Sequence, residues 1–205
     1  FSTEKAVQIL DLNGWSLNGE GIREKTVGKK ELQRLEFTLM VPEIPFLEET
    51  AQIIKDDWSK LGIKLNLSVR SLNDINNDVI KTRDYEMVLF GNIFGNNQSP
   101  DLFSFWHSSE RFYPGLNLAL YSDKTVDNLI QSVRTSLNKS ARQSDLSAIQ
   151  SIIIGDAPAV FLFSPPYFYI ARNSLGGLEN NFISLPSDRF DNIEKWYVKT
   201  ARVFK

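Results

Sequence analysis

The chain has 205 residues, 42% apolar and 23% charged, and a formal net charge of −2. That is enough to bury one sizeable core or two small ones, and it excludes global disorder. It also offers no basic footprint for nucleic acid, no apolar run near the roughly 20 residues of a membrane span and, without cysteine, no disulfide framework or thiolate metal site.

The chain opens at Phe1 with no initiator Met, no charged n-region and no apolar h-region, and Ala6, Ile9 and Leu10 already fall at helical spacing. We expect a short helix over 1–12 in a piece of something longer, with any signal segment upstream. Asn13–Gly14 ends that helix. Residues 15–32 are polar and glycine-spaced, carry Arg23, Lys25, Lys29 and Lys30, and read as a surface excursion or loose hairpin.

In LEFTLMV, Leu35, Phe37, Leu39 and Val41 alternate with Glu36, Thr38 and Met40, which predicts a strand stopped by Pro42. Leu47, Ala51, Ile54, Trp58 and Leu61 then share one helical face, with Gly62 at the C-terminal cap. Ile63, Leu65, Leu67 and Val69 alternate again. Strand, helix and strand with short joints make a βαβ unit with parallel strands. A second helix over 72–82 leads to the apolar run YEMVLF at 85–90, which suits a central strand covered on both faces.

Val126, Leu129, Ile130, Val133 and Leu137 form one stripe, with Ser122 or Asp123 as N-cap. Ser140 with Gln143 makes a capping-box pattern for a helix through Leu146, Ile149 and Ile153, closed by Pro158. VFLF at 160–163 and YFYIA at 167–171 read as strands around Pro165–Pro166, residues 172–177 as a turn, and the remainder as a mixed tail.

Ligands of open parallel sheets bind outside the carboxyl ends of the strands. The segment after Phe90, GNIFGNNQSPDLFSFWHSS, holds three asparagines and Gln98 beside Phe94, Phe103, Phe105 and Trp106. Pro100 stands at a helix N1 position, with Ser99 to cap it and Asp101 in the first turn. Amides beside aromatic rings suit a neutral polar ligand such as a peptide backbone. The alternative is that the asparagines only make turns and the rings pack the core. His107 is the one histidine, and no GxSxG elbow, HExxH, paired His, GxGxxG or GxxxxGK[ST] accompanies it. It reads as a capped or half-buried residue rather than a catalyst, and the carboxylates on the 47–61 helix read as a solvated face.

In this order the segments resemble the C-terminal lobe of the bacterial extracellular solute-binding proteins, family 5, the peptide-, nickel- and oligopeptide-binding proteins of ABC importers. EKAVQILDLNGW is similar to the family's helix ending in Gly-Trp, and LEFTLMVP through WSKLGIKLNLSV to its strand, helix and strand. YEMVLFGNIFGNNQSPDLF resembles the strand and ligand loop with its Pro-Asp element. Asn117, Tyr121, Val126, Asp127, Leu129 and Ile130 match the Asn, the Tyr and the "vD-li" helix, and Arg142, Asp156 and Pro158 a later Arg and Asp-x-Pro.

The resemblance implies an α/β fold, a periplasmic-binding-protein type II-like lobe with a mixed, largely parallel sheet flanked by helices. It implies that residues 1–205 are one lobe of a two-lobed protein whose N-terminal lobe is absent. It implies binding of peptides or a related polar solute for import, without catalysis or cofactor. The implied partners are that solute, a membrane permease and the missing lobe, not nucleic acid. The implied location is extracytoplasmic, in the periplasm or as a cell-surface lipoprotein. The implied ligand contacts are Asn92, Phe94, Asn96, Asn97, Ser99, Trp106 and Asn117. Asn96 stands where oligopeptide-binding members place an Asp for the peptide α-amine, which puts that ion pair in doubt. Similar domains also occur as ligand sensors fused to a DNA-binding segment, and this is the alternative reading.

Overall fold

The computed structural model describes residues 2–28, 31–92, 101–166, 168–179, 183 and 185–198. Two compact units divide the chain, residues 1–91 with 112–114 and residues 92–111 with 115–205.

The first unit opens with α1 (Thr3–Leu12), which Ser2 caps by accepting the Lys5 N–H at 3.2 Å. The Asn13–Gly14 turn follows as expected, with Gly14 at φ +80°. The next segment is more ordered than a loose hairpin. Strands β1 (Ser16–Leu17), β2 (Arg23–Val27) and β3 (Glu31–Arg34) form an antiparallel sheet in that order. Arg23 organises it. Only 3% exposed, it donates from Nε to the Leu61 carbonyl at 2.7 Å and from its guanidinium to Asp11 and the Trp15 carbonyl. A cation this deep is tolerated because its donors are met.

Strand β4 (Glu36–Pro42), helix α2 (Pro45–Ser59) and strand β5 (Lys64–Arg70) make the expected βαβ unit, β4 and β5 running parallel in register from Glu36↔Lys64 to Pro42↔Arg70. Gly62 makes the return at φ +77°, and a Cβ there would come within 2.4 Å of Leu17. Leu39, Val41, Leu47, Ala51, Leu65 and Leu89 form the core, bordered by Phe37 edge-on to Trp58. At about 1.5–3 kcal/mol for each fully buried large aliphatic side chain, this cluster is the main stabilising feature of the unit.

The run at 85–90 joins the sheet, but not at its centre. Strand β6 (Met87–Val88) lies parallel to β4, and the order β5-β4-β6 puts β4 in the middle of the described sheet. Before β6 the Glu86 carboxylate, not a carbonyl, accepts the Thr38 N–H at 2.7 Å, so regular pairing starts only at Met87. The helix expected over 72–82 is also altered. One turn, α3 (Leu72–Asp74), passes into a π-helix over Ile75–Ile80, which still buries Ile75 and Val79. Asn77 and Thr82 bond carbonyls four residues back, a competition for the helical acceptors.

In the second unit, α4 (Leu102–Trp106), α5 (Lys124–Thr135) and α6 (Lys139–Asp156) supply the regular structure. Asp123 caps α5 as expected, accepting the Val126 N–H at 2.8 Å. The cap of α6 is Asn138, which accepts from Ser140 and Ala141; Ser140 already lies inside the helix. Leu137 drops out of the α5 stripe because the helix ends at Thr135, leaving it 99% exposed. Val126, Ile130, Ile149 and Ile153 are the core between α5 and α6, and Ser132 donates to Asp145 across them at 2.6 Å. Pro158 ends α6 by disfavouring helical backbone at Ala157, which turns to φ +50°.

The strands expected at 160–163 and 167–171 do not form among the described residues there. A strand exists only in a ladder with a neighbour, and the sheets among the described residues include neither run. Val160, Phe161, Phe168 and Ile170 are left exposed. The tail contributes a short antiparallel pair, β7 (Leu175–Gly176) with β8 (Tyr197–Val198).

Candidate ligand-binding site

Of the seven expected contact residues, Phe94, Asn96, Asn97 and Ser99 lie outside the described residues. Asn92 is exposed, Trp106 is half-buried on α4, and Asn117 is buried. Helix α4 starts two residues later than expected. Asp101, not Ser99, is its N-cap, with Oδ1 accepting the Phe103 N–H at 3.1 Å.

Trp106 sits in an aromatic group. Its ring meets Tyr121 edge-on at 6.1 Å and 81°, and Phe161 at 5.8 Å and 56°. The Tyr121 hydroxyl donates to Asp156 Oδ2 at 2.6 Å. Burial, and then the Asp156 carboxylate as acceptor, push the Tyr121 phenol far above its ordinary value. Trp106 is therefore half-buried and met by two rings, an arrangement that holds an aromatic side chain at low entropic cost.

Asn117 differs from expectation. Its side chain is 0% exposed, its amide nitrogen donates to the His107 and Tyr121 carbonyls at 3.2 and 2.9 Å, and its oxygen accepts the Tyr121 N–H at 3.0 Å. No face of the amide is open. Asn117 acts as a clamp joining the end of α4 to Tyr121.

His107 is tied into a local turn. The Ser109 N–H donates to Nδ1 at 3.2 Å, Ser109 Oγ lies 2.9 Å from the same nitrogen, and Asp127 Oδ1 is 3.9 Å from it. Asp127 itself accepts from the Ser108 N–H and hydroxyl. A nucleophile–base–carboxylate relay needs its two partners on opposite ring nitrogens. Here both crowd onto Nδ1, and the His107 ring stacks on Phe103 at 4.3 Å. The arrangement is that of a turn cap.

Two neighbouring contacts escape a sequence reading. The Arg134 guanidinium lies 4.4 Å over the Phe103 ring and 3.8 Å from Asp101 Oδ2. Asp127 binds Ser108 from nineteen positions away. Neither spacing has a local signature. Among the described residues no group of three or more His, Cys, Asp or Glu is placed to hold a metal ion, and no helix is long and apolar enough to cross a membrane.

The comparisons agree on a family. The family described as "Bacterial extracellular solute-binding proteins, family 5 Middle" matches residues 1–114, more than half of the 205. The probable D,D-dipeptide-binding periplasmic protein DdpA of Escherichia coli (strain K12) is 29% identical over 139 residues, which cover 67% of this chain and 26% of that protein. The oligopeptide-binding protein AppA from Bacillus subtilis, solved with a nonapeptide, is similar with a TM-score of 0.73 at 23% identity over 98% of this chain and 38% of its own. NikZ from Campylobacter jejuni, solved with Ni(L-His), gives 0.74 at 21% identity over 97% and 39%. These two likenesses carry the fold, that of a type II periplasmic binding protein. The chain spans between about a quarter and two fifths of the length of these relatives. With more than half of its residues matched by the family, the chain belongs to the bacterial extracellular solute-binding proteins, family 5.

Proposed function

We propose that this chain is the C-terminal lobe of a two-lobed substrate-binding protein that captures peptides or a related polar solute outside the cytoplasm and delivers it to an ABC permease. The observation that carries this reading is the family match over residues 1–114. The share of its relatives that this chain spans, about a quarter to two fifths of their length, supports the two-lobed part. The family closes around its ligand by a hinge, and no chemical step is needed for that task.

The contacts are Trp106 on its aromatic support, Asn92, and the residues Phe94, Asn96, Asn97 and Ser99, with Asn117 clamping the end of α4 to Tyr121. The amide of Asn96 cannot neutralise an ammonium group, so a ligand with a neutral group at that point is preferred. Calorimetry of the full-length protein with a peptide library tests the reading. Trp106→Ala weakens binding by roughly tenfold or more, the loss of one aromatic anchor. Unchanged affinity in that variant removes Trp106 from the site.

A further inference from the structure

Asp101 is the first acidic residue after the asparagine-rich stretch, and one of its oxygens accepts a hydrogen bond while the other lies within ion-pair distance of an arginine. Oδ1 caps α4 through the Phe103 N–H, and Oδ2 faces the Arg134 Nη2 at 3.8 Å. The Arg134 guanidinium rests on the Phe103 ring, which in turn stacks on His107. Arg134 is thus anchored on one face by the ring while its edge lies beside Asp101. It also stands in the last turn of α5, where the helix dipole favours a cation. An ammonium arriving at Asp101 meets a carboxylate that is already paired, with a fixed positive charge next to it.

We propose that Arg134 is a specificity-determining residue, which by pairing with Asp101 over the Phe103 ring withholds that carboxylate from cationic ligand groups. The ligand group received at this corner is neutral or anionic, such as a blocked peptide end, an internal amide or a carboxylate, and not a free ammonium. The inference rests on the reading that residues flanking the 93–100 loop line the ligand site. Asp101 and Arg134 are each about half exposed, so the effect is modest: such pairs shift an equilibrium constant by about 1.4- to 5-fold.

The test uses the full-length protein at low salt, with trialanine and N-acetyl-trialanine as probes. Dissociation constants are measured for the wild type, Arg134→Gln, Asp101→Asn and the double variant. Asparagine is itself a good N-cap, so Asp101→Asn keeps α4 in place. The wild type binds the acetylated peptide at least as tightly as the free amine. Arg134→Gln shifts the ratio toward the free amine by about 5-fold, and adding Asp101→Asn abolishes the shift. An unchanged ratio in Arg134→Gln overturns the proposal, as does a shift that survives in the double variant, since it would not run through Asp101. If neither peptide binds the wild type, the peptide reading fails, and the pair is judged on its own by thermal unfolding of the same four proteins. Non-additivity of about 2-fold in the unfolding constant, fading with added salt, supports it, and strict additivity overturns it.

Discussion

Arg23 is a residue whose charge sits inside while its acidic partner stays out: its side chain is 4% exposed and that of Asp11 58%. Most of its worth therefore lies in its hydrogen bonds to the carbonyls of Leu61 and Trp15. Hydrogen bonds from charged groups contribute about 1.5–3 kcal/mol, whereas an exposed ion pair contributes less than about 1 kcal/mol. Arg23→Met should lower stability in urea by roughly 2–3 kcal/mol and loosen amide protection over β1–β3, while Asp11→Asn should cost under about 1 kcal/mol. Equal losses in the two variants would put the weight on the ion pair instead. Tyr121 makes a prediction about pH. Its phenol is raised in the folded protein by burial and by Asp156, so its contribution to stability is complete below the ordinary phenol value of about 10 and is lost as pH rises through the folded value. Tyr121→Phe should flatten the alkaline fall in stability. An alkaline limb as steep as that of the wild type would contradict the assignment.

At the scale of elements, periodicity was the reliable guide wherever burial is one-sided. The alternation of 35–41 and 63–69 and the stripe of 47–61 became β4, β5 and α2, with the parallel register intact. Polar, two- to five-residue strands such as β1–β3 carry no such alternation, and the charge of Arg23, at the start of β2, hides its burial. The runs at 160–163 and 167–171 have the composition of strands, yet pairing is decided by a neighbour distant in sequence, which composition does not encode. Caps failed for a finer reason. Ser140 with Gln143 has the spacing of a capping box, but Asn138 lies two positions earlier, and its amide oxygen reaches two helix N–H groups at once. Asn138→Ala should therefore cost about 0.5–2 kcal/mol and Ser140→Ala almost nothing, by thermal or urea unfolding. The reverse order would restore Ser140 as the cap.

For the whole molecule, family membership was legible in the order of many weak segments, none specific alone. The candidate site was legible in part. The aromatic surroundings of Trp106 include Phe161, and Asp101 lies beside Arg134, both pairings between residues far apart in the chain, while the clamp of Asn117 is set by how the chain folds back between His107 and Tyr121. A clamshell binds by closing two lobes, so one lobe supplies some of the contacts and none of the closure. Calorimetry with one peptide library on the full-length protein and on residues 1–205 alone tests this most directly. The account predicts saturable binding by the full-length protein and at least roughly 100-fold weaker binding by this chain, a loss of about 3 kcal/mol. Binding by residues 1–205 alone at the affinity of the full-length protein, or release of cleaved peptide by either, would contradict it.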